Sequence, residues 1–312
     1  MEKQTTVRGH AAAGVTILIW GTTFISTKVL LREFTPIEIL FIRFLMGYLV
    51  LWLVYPRKLV LASRRQEWYF AAAGLTGIAL YYLLENIALT YTLASNVGVI
   101  ISIAPFFTAV FSWIFLGGDR PGKRFLSGFV IAMGGIALIS FSSEAKLAIN
   151  PLGDILAVAA AVVWAAYSTI TKKVSAFGYH VIQATRRTFF YGLIFMIPVI
   201  LASDFKISLG QVTQLKNMGN LLFLGVGASA ICFVTWNFGV KILGPVKTSV
   251  YIYMVPVITA VTSAIILGER IPGASVLGIL MTLAGLLLSE GRSKKIEIGS
   301  EKGTGLSESG TP

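Results

Sequence analysis

The sequence predicts an all-α membrane protein: ten transmembrane helices built as two inverted five-helix repeats, with the N- and C-termini cytoplasmic. Three observations predict it. They are apolar blocks of membrane-spanning length, an internal repeat, and a one-sided distribution of Lys and Arg.

Of 312 residues, 55% are hydrophobic and 13% charged, whereas a soluble domain carries about 25% charged residues. The apolar residues gather in blocks of about 18 to 23, long enough to cross ~30 Å of hydrocarbon as helices. The polar helix faces that a soluble all-α protein needs are mostly missing. The formal net charge of +12 does not point to nucleic acid, because the basic residues sit in short loops between spans rather than on one face. Cys232 is the single cysteine, which excludes an intrachain disulfide and a thiolate metal cluster. His10 and His180 fall near predicted helix ends, where such residues are solvated. No metal or cofactor is expected.

Residues 1–10 read as a short polar cytoplasmic segment. The first span, about 11–31, is too long for a signal peptide, and its small residues Ala11 to Ala13 stand at the wrong end for cleavage. Span 2, about 36–55, starts at Pro36, where the missing N–H costs nothing. A basic loop leads to spans 3 (68–90), 4 (95–116) and 5 (123–141). A short polar connection, 142–151, joins the repeats 11–141 and 152–290. The second repeat holds spans at about 152–171, 181–202, 217–240, 245–267 and 273–290. Residues 291–312, rich in Lys, Glu, Gly and Ser, read as a disordered cytoplasmic tail. Short loops and no targeting segment point to a multi-pass protein of the cell (cytoplasmic) membrane.

The repeat is written in the residues. Pro105, Thr108 to Val110, Ser112, Ile114, Leu116 and Gly117 recur 151 positions later as Pro256, Thr259 to Val261, Ser263, Ile265, Leu267 and Gly268. Asn86 and Asn237 keep that offset. Earlier in each half the offset is 144: Trp20 with Trp164, Lys28 with Lys172, Arg43 with Arg187. The difference of seven implies an insertion between spans 7 and 8.

Orientation follows from charge. Four of the 26 basic residues, Lys28, Arg43, Arg186 and Arg187, fall within spans. With the N-terminus inside, the outer loops hold five, Arg32, Lys146, Lys206, Lys216 and Arg270, and the inner segments the remaining 17. Five helices per half is odd, so the second copy enters the membrane upside down. Inverted repeats are the architecture of secondary transporters, with the binding site between the halves near mid-membrane.

At this point the chain resembles the drug/metabolite transporters of the EamA type. The resemblance rests on Ile19 to Phe24 in span 1, Arg43, Asn86 to Leu89, Ala104-Pro105 and Leu116-Gly117. The second half adds Val163 to Ala165, Arg187, Asn237, Pro256 and Leu267 to Arg270. It covers about residues 10–290. It implies a carrier of amino acids, nucleotide precursors, other metabolites or toxic compounds, mostly outward. The first copy departs from the usual Gly-Glu at its helix 4–5 turn, reading Gly117-Gly118-Asp119-Arg120.

Candidate site residues follow from helical spacing. Trp20, Phe24 and Lys28 share a face, as do Trp164, Ser168 and Lys172, with Tyr167 beside them. Such faces suit either a substrate cavity or helix packing; both tryptophans lie midway along their spans, which favours the cavity. Tyr82, Asn86, Trp236, Asn237 and Tyr251 complete the expected cavity. Glu85 is the carboxylate well inside a span and is a functional candidate by default. With Arg43 and Lys28 at similar depth it is either part of a gating salt bridge or a protonation site. Arg186, Arg187 and Lys172 form an inner layer without a matching acid. They either attract an anionic group or snorkel to the surface, with Arg187 as the gate residue. Pro105 and Pro256 are either paired hinges or static kinks.

The expectation is a secondary carrier of small amphipathic metabolites such as amino acids, exporting them by alternating access, with lipid and a small molecule as partners and proton coupling possible. No G-x-x-x-x-G-K-[ST] loop supplies primary energy. An intramembrane enzyme lacks a nucleophile–base pair. A transporter or facilitator of another metabolite or toxic compound, or a non-translocating membrane receptor or scaffold, remains the alternative.

Overall fold

The computed structural model describes residues 2–91, 94–142, 150–267 and 273–289. They form helices α1 (Glu2–Leu30), α2 (Pro36–Val54), α3 (Arg65–Tyr91), α4 in two pieces (Ala94–Ile101 and Ala104–Leu116), α5 (Lys123–Ser142) and α6 (Pro151–Ser175). Then come α7 (Val181–Leu201), α8 (Leu215–Leu243), α9 in three pieces (Pro245–Ser249, Val250–Tyr253, Met254–Leu267) and α10 (Gly273–Ser289). No strand occurs among the described residues. Among the described residues seven helices are long and apolar enough to cross a membrane, and α10 is a shorter apolar one. The outer surface is apolar: Leu18, Trp52, Ile114, Phe115, Val130, Leu201 and Leu280 are all exposed, as lipid contact requires. The tail 291–312, most of the connection 142–151, and Gly268 to Arg270 lie outside the described residues.

Several elements differ from expectation. Residues 2–10 are not a separate segment but the first turns of α1. They are held there because Gly9 lets α1 approach Ile242 and Leu243 at the end of α8. α3 begins at Arg65, which brings Glu67 into its first turn. α2 starts with a capping box: Thr35 Oγ1 accepts from the Glu38 N–H at 3.4 Å and the Glu38 carboxylate accepts from the Thr35 N–H at 2.8 Å. The buried Glu38 also accepts from the Lys206 N–H at 3.0 Å, tying the α7–α8 connection to α2. That connection carries the extra residues of the second half, including a short helix, Leu209–Val212.

Contacts between the halves come in exchanged pairs. α1 packs on α8 as α6 packs on α3; α2 on α8 as α7 on α3; α1 on α9 as α6 on α4. α2–α7, α4–α9 and α5–α10 are each their own counterpart. Local irregularities repeat as well. α3 widens to a π-helix at Leu75–Leu80 and α8 at Phe223–Ile231; α4 breaks at Ser102 and Ile103, and α9 tightens to a 3₁₀ turn at Val250–Tyr253. Both breaks immediately precede the prolines, so Pro105 starts a helical piece and Pro256 sits in the first turn of one.

Close approaches also fix the register of the repeat. A Cβ on Gly74 would meet the Gly192 N at 2.6 Å and the Tyr191 Cβ at 2.7 Å. One on Gly225 would meet the Met46 Cβ at 2.8 Å, and one on Gly47 the Gly225 carbonyl at 3.2 Å. Gly74 and Gly225 keep the offset of 151, so Met46 matches Tyr191 and Gly47 matches Gly192. The offset in α2 and α7 is therefore 145. Arg43 corresponds to Thr188, and the match with Arg187 is corrected.

Candidate functional site

A cavity lies between the halves. Trp20, Thr23 and Phe24 of α1, Tyr81, Tyr82 and Glu85 of α3, and Ile101 of α4 line it from one side; Trp164 of α6 and Ile252 and Val255 of α9 line it from the other. The free space within it is narrow, about 40 Å³. Trp20 and Trp164 are repeat mates, and so are Ile101 and Ile252, each just ahead of a helix break. The cavity thus straddles the axis that exchanges the halves, and the π-turns and breaks around it are what bend the helices into a wall.

The cavity is nevertheless one-sided, and residue size explains why. At the positions of Thr23 and Tyr82 the second half has Tyr167 and Phe233, and at Glu85 it has Trp236. These three and Trp164 are almost completely buried. Trp20, Trp164 and Trp236 form a triangle with ring centroids 5.2, 5.1 and 5.5 Å apart. Phe233 touches Trp20, Trp164 and Tyr167. The result is a plug of rings beneath the cavity on the α8 side. The Trp20 indole N–H donates to the Ala228 carbonyl at 2.9 Å, inside the α8 π-turn.

Of the predicted cavity residues, Trp20, Phe24, Tyr82 and Trp164 line the space and Glu85 joins them, while Tyr167 and Trp236 belong to the plug. Ser168 is fully buried, its hydroxyl without a partner among the described residues. Asn86 bonds the Pro36 carbonyl at 3.3 Å and serves α2–α3 packing. Asn237 accepts from the Tyr167 phenol at 2.7 Å and donates to Thr185 Oγ1 at 2.9 Å. It lines a separate small pocket with Lys241 and Tyr179. Tyr251 is not at the cavity; its hydroxyl lies 2.7 Å from His10 Nδ1, so His10 is packed against α9. Tyr81, Thr23, Ile101, Ile252 and Val255 were missed. Tyr81 is one helical turn before Glu85, and Ile101 and Ile252 share the repeat offset, so both signals were present.

The charged layer is arranged differently from the expected salt bridge. Arg43 is buried, its Nε donates to Ser229 Oγ at 3.0 Å, and its guanidinium lies 4.4 Å from the Tyr82 ring centroid and 5.2 Å from that of Phe44. It forms no ion pair with Glu85 and stands behind Tyr82, off the cavity lining. Lys28 is exposed, and its ammonium donates to the Leu89 carbonyl at 2.8 Å. Glu85 is 6% exposed, and its Oε2 has no hydrogen-bond partner among the described residues.

The inner layer does have its acid. Glu67 pairs bidentately with Arg187, with an Nε to Oε2 distance of 3.1 Å, and also accepts from the Tyr191 hydroxyl at 2.7 Å. Arg186 donates to the Tyr55 and Arg57 carbonyls, each at 2.5 Å, and Lys172 to the Lys241 carbonyl at 3.1 Å. Neither arginine reaches the cavity. A surplus cation awaiting an anion is therefore not what this layer contains.

Residues 7–141 and 151–290 each match the EamA-like transporter family, and the chain belongs to that family. An uncharacterized transporter of Archaeoglobus fulgidus is 28% identical over 90% of this chain and 96% of its own. A probable terminal-alkyne amino-acid exporter of Streptantibioticus cattleyicolor is 27% identical over 72% of this chain and 73% of its own. One solved crystal structure, 19% identical, superposes with a TM-score of 0.71 over 92% of this chain and 96% of that one, which is a likeness of fold. The protein is therefore a multi-pass membrane transporter and not an enzyme.

Proposed function

We propose that the protein is a secondary carrier that exports small amphipathic metabolites such as amino acids by alternating access between two inverted five-helix halves. Ten helices cross the cell membrane, both termini are cytoplasmic, and residues 11–141 and 152–290 are the repeats. One observation carries the reading. The cavity lies on the exchange axis of the halves, lined by Thr23, Tyr82 and Glu85 and filled by rings at their counterparts Tyr167, Phe233 and Trp236. With the N-terminus inside, Phe24 and Glu85 lie in the outer parts of α1 and α3, so this arrangement corresponds to the outward-facing half of a transport cycle. Repeat symmetry supplies the other half: exchanging the conformations of the two repeats would open the inner side and close the outer one. A relative is named a probable terminal-alkyne amino-acid exporter, which supports the substrate class.

Counterflow of radiolabelled amino acids in proteoliposomes tests this, with and without a pH gradient, for the native chain and Glu85→Gln. Exchange above protein-free liposomes is expected. Uphill accumulation driven by the gradient and abolished in Glu85→Gln would establish proton coupling at this carboxylate. Exchange indifferent to both would make the protein a facilitator. Absence of flux for every amino acid would remove that substrate class.

A further inference from the structure

Among the described residues the cavity wall carries one charge, and it is negative. Five aromatic rings, those of Trp20, Phe24, Tyr81, Tyr82 and Trp164, surround the space together with the Glu85 carboxylate. No Lys, Arg or His lines it among the described residues. The nearby cation, Arg43, attracts Glu85 but makes no ion pair with it: its Nε is bonded to Ser229 and its flat face is covered by the rings of Tyr82 and Phe44. Lys28 donates to a backbone carbonyl at the end of α3. Glu85 is thus a carboxylate more than nine-tenths buried, without an ion pair among the described residues, with Oε2 unbonded at the cavity.

An ionised carboxylate in such a place is expensive unless a counter-charge joins it. Aromatic faces around it are the surface that an organic cation prefers, because the ring quadrupole adds to the attraction. Trp20 and Trp164 meet edge to face at 79°, and Tyr81 is tilted 49° against Trp164 at 4.7 Å. The rings therefore form a corner rather than a flat slot. The donors on the wall are neutral: the phenols of Tyr81 and Tyr82, and the buried Trp164 indole N–H, which has no partner among the described residues.

We infer that the recognised end of the substrate is a protonated amine or other organic cation, held by Glu85 within the aromatic corner, with an apolar body along Phe24, Ile101 and Ile252. This deepens the carrier reading above, since it takes the cavity to be the substrate site. It ranks substrates in an order that the amino-acid reading alone does not. An amine should bind better than the matching amino acid, whose carboxylate finds no basic side chain on the wall, and the matching acid should bind worst.

Four compounds sharing one body test the ranking: 2-phenylethylammonium, phenylalanine, 3-phenylpropanoate and 2-phenylethanol, titrated calorimetrically at neutral pH against the full chain in nanodiscs. The expected result is an affinity for the ammonium at least tenfold above that for the alcohol, with phenylalanine between them and the acid unbound. In Glu85→Gln the ammonium-to-alcohol ratio should fall to about one, and Glu85→Asp should restore most of it. A general loss of fold would weaken all ligands without moving that ratio, and the native series decides by itself if Glu85→Gln does not fold. Preference for the acid or the zwitterion, no binding of any of the four, or an unchanged ratio in Glu85→Gln would each overturn the inference. Counterflow of the same labelled compounds separates the two readings. Flux of the acid alone overturns the cation site and leaves the carrier intact, whereas ammonium binding without flux upholds the site and sinks the carrier.

Discussion

Glu67 and Arg187 are each about a third exposed, at 29% and 35%. Their pairing is bidentate and reinforced by Tyr191, but water still screens it. A pair in that setting contributes roughly 0.2–1 kcal/mol, far less than a buried pair loses when one partner is removed. A double-mutant cycle on Glu67→Gln and Arg187→Gln, read by reversible unfolding in mixed micelles, should give a coupling of about 1 kcal/mol or less. Substrate binding should be unchanged in both single variants, because neither side chain reaches the cavity. Coupling of about 3 kcal/mol or more would show that the pair is desolvated and that this account of the inner layer is wrong. Arg43 is the opposite case. It is 2% exposed, with one Nη2 unbonded among the described residues, and it relies on Ser229 and the Tyr82 face. Two arginines that look interchangeable in the sequence are therefore a screened surface tie and a buried cation braced by a ring.

At the scale of helices, what decides between them is a single residue of register. The connections 31–35 and 176–180 are equal in length, and α2 and α7 align at 145, so Arg187 lies one position before the counterpart of Arg43. One residue turns a side chain about 100° around a helix, enough to move it from the face that meets Tyr82 and Ser229 to the one that meets Glu67. Repeated Trp, Pro and Leu-Gly signals made the two halves and their helices legible. The register of α2 against α7 was not, because its evidence is Gly47, Gly74, Gly192 and Gly225 meeting across helices, and glycine adds no hydrophobic pattern. Glu67 was missed for a related reason: three polar residues at the start of α3 read as loop until the helix is seen to begin at Arg65. Backbone contact is tightest between α5 and α10. A Cβ on Gly135 would stand 2.5 Å from the Gly278 carbonyl and 2.6 Å from Thr282 Oγ1, and one on Gly128 2.7 Å from the Gly285 carbonyl. Gly135→Ala must push the helices apart and should cost about 2 kcal/mol, seen as a lower unfolding temperature. Gly134→Ala meets only the flexible Met281 tip at 3.3 Å and should leave that temperature unchanged. Equal effects at the two positions would mean that α5 and α10 do not pack through this face.

For the whole molecule, the direction of transport depends on which side of the membrane the plug lies. The exchanged contacts define an axis between the halves but not its sense; only the loop charges supply that, through the excess of Lys and Arg on one side. The two sides can be told apart chemically, because Cys232 is the single cysteine and is buried in α8. In a Cys232→Ala background, Ser63→Cys would mark the α2–α3 loop and Ser203→Cys the α7–α8 connection; both serines are exposed and lie at opposite ends of the bundle in the ten-span reading. A membrane-impermeant maleimide added to intact cells should modify the cysteine at 203 and spare the one at 63 until the membrane is opened. That outcome would put Phe24 and Glu85 toward the outside and make the ring plug of Tyr167, Phe233 and Trp236 the inner barrier, as an outward-facing exporter requires. The reverse pattern would invert the molecule. The same cavity would then face the cytoplasm, Glu85 would meet the substrate at the loading step, and the plug would be the barrier to release.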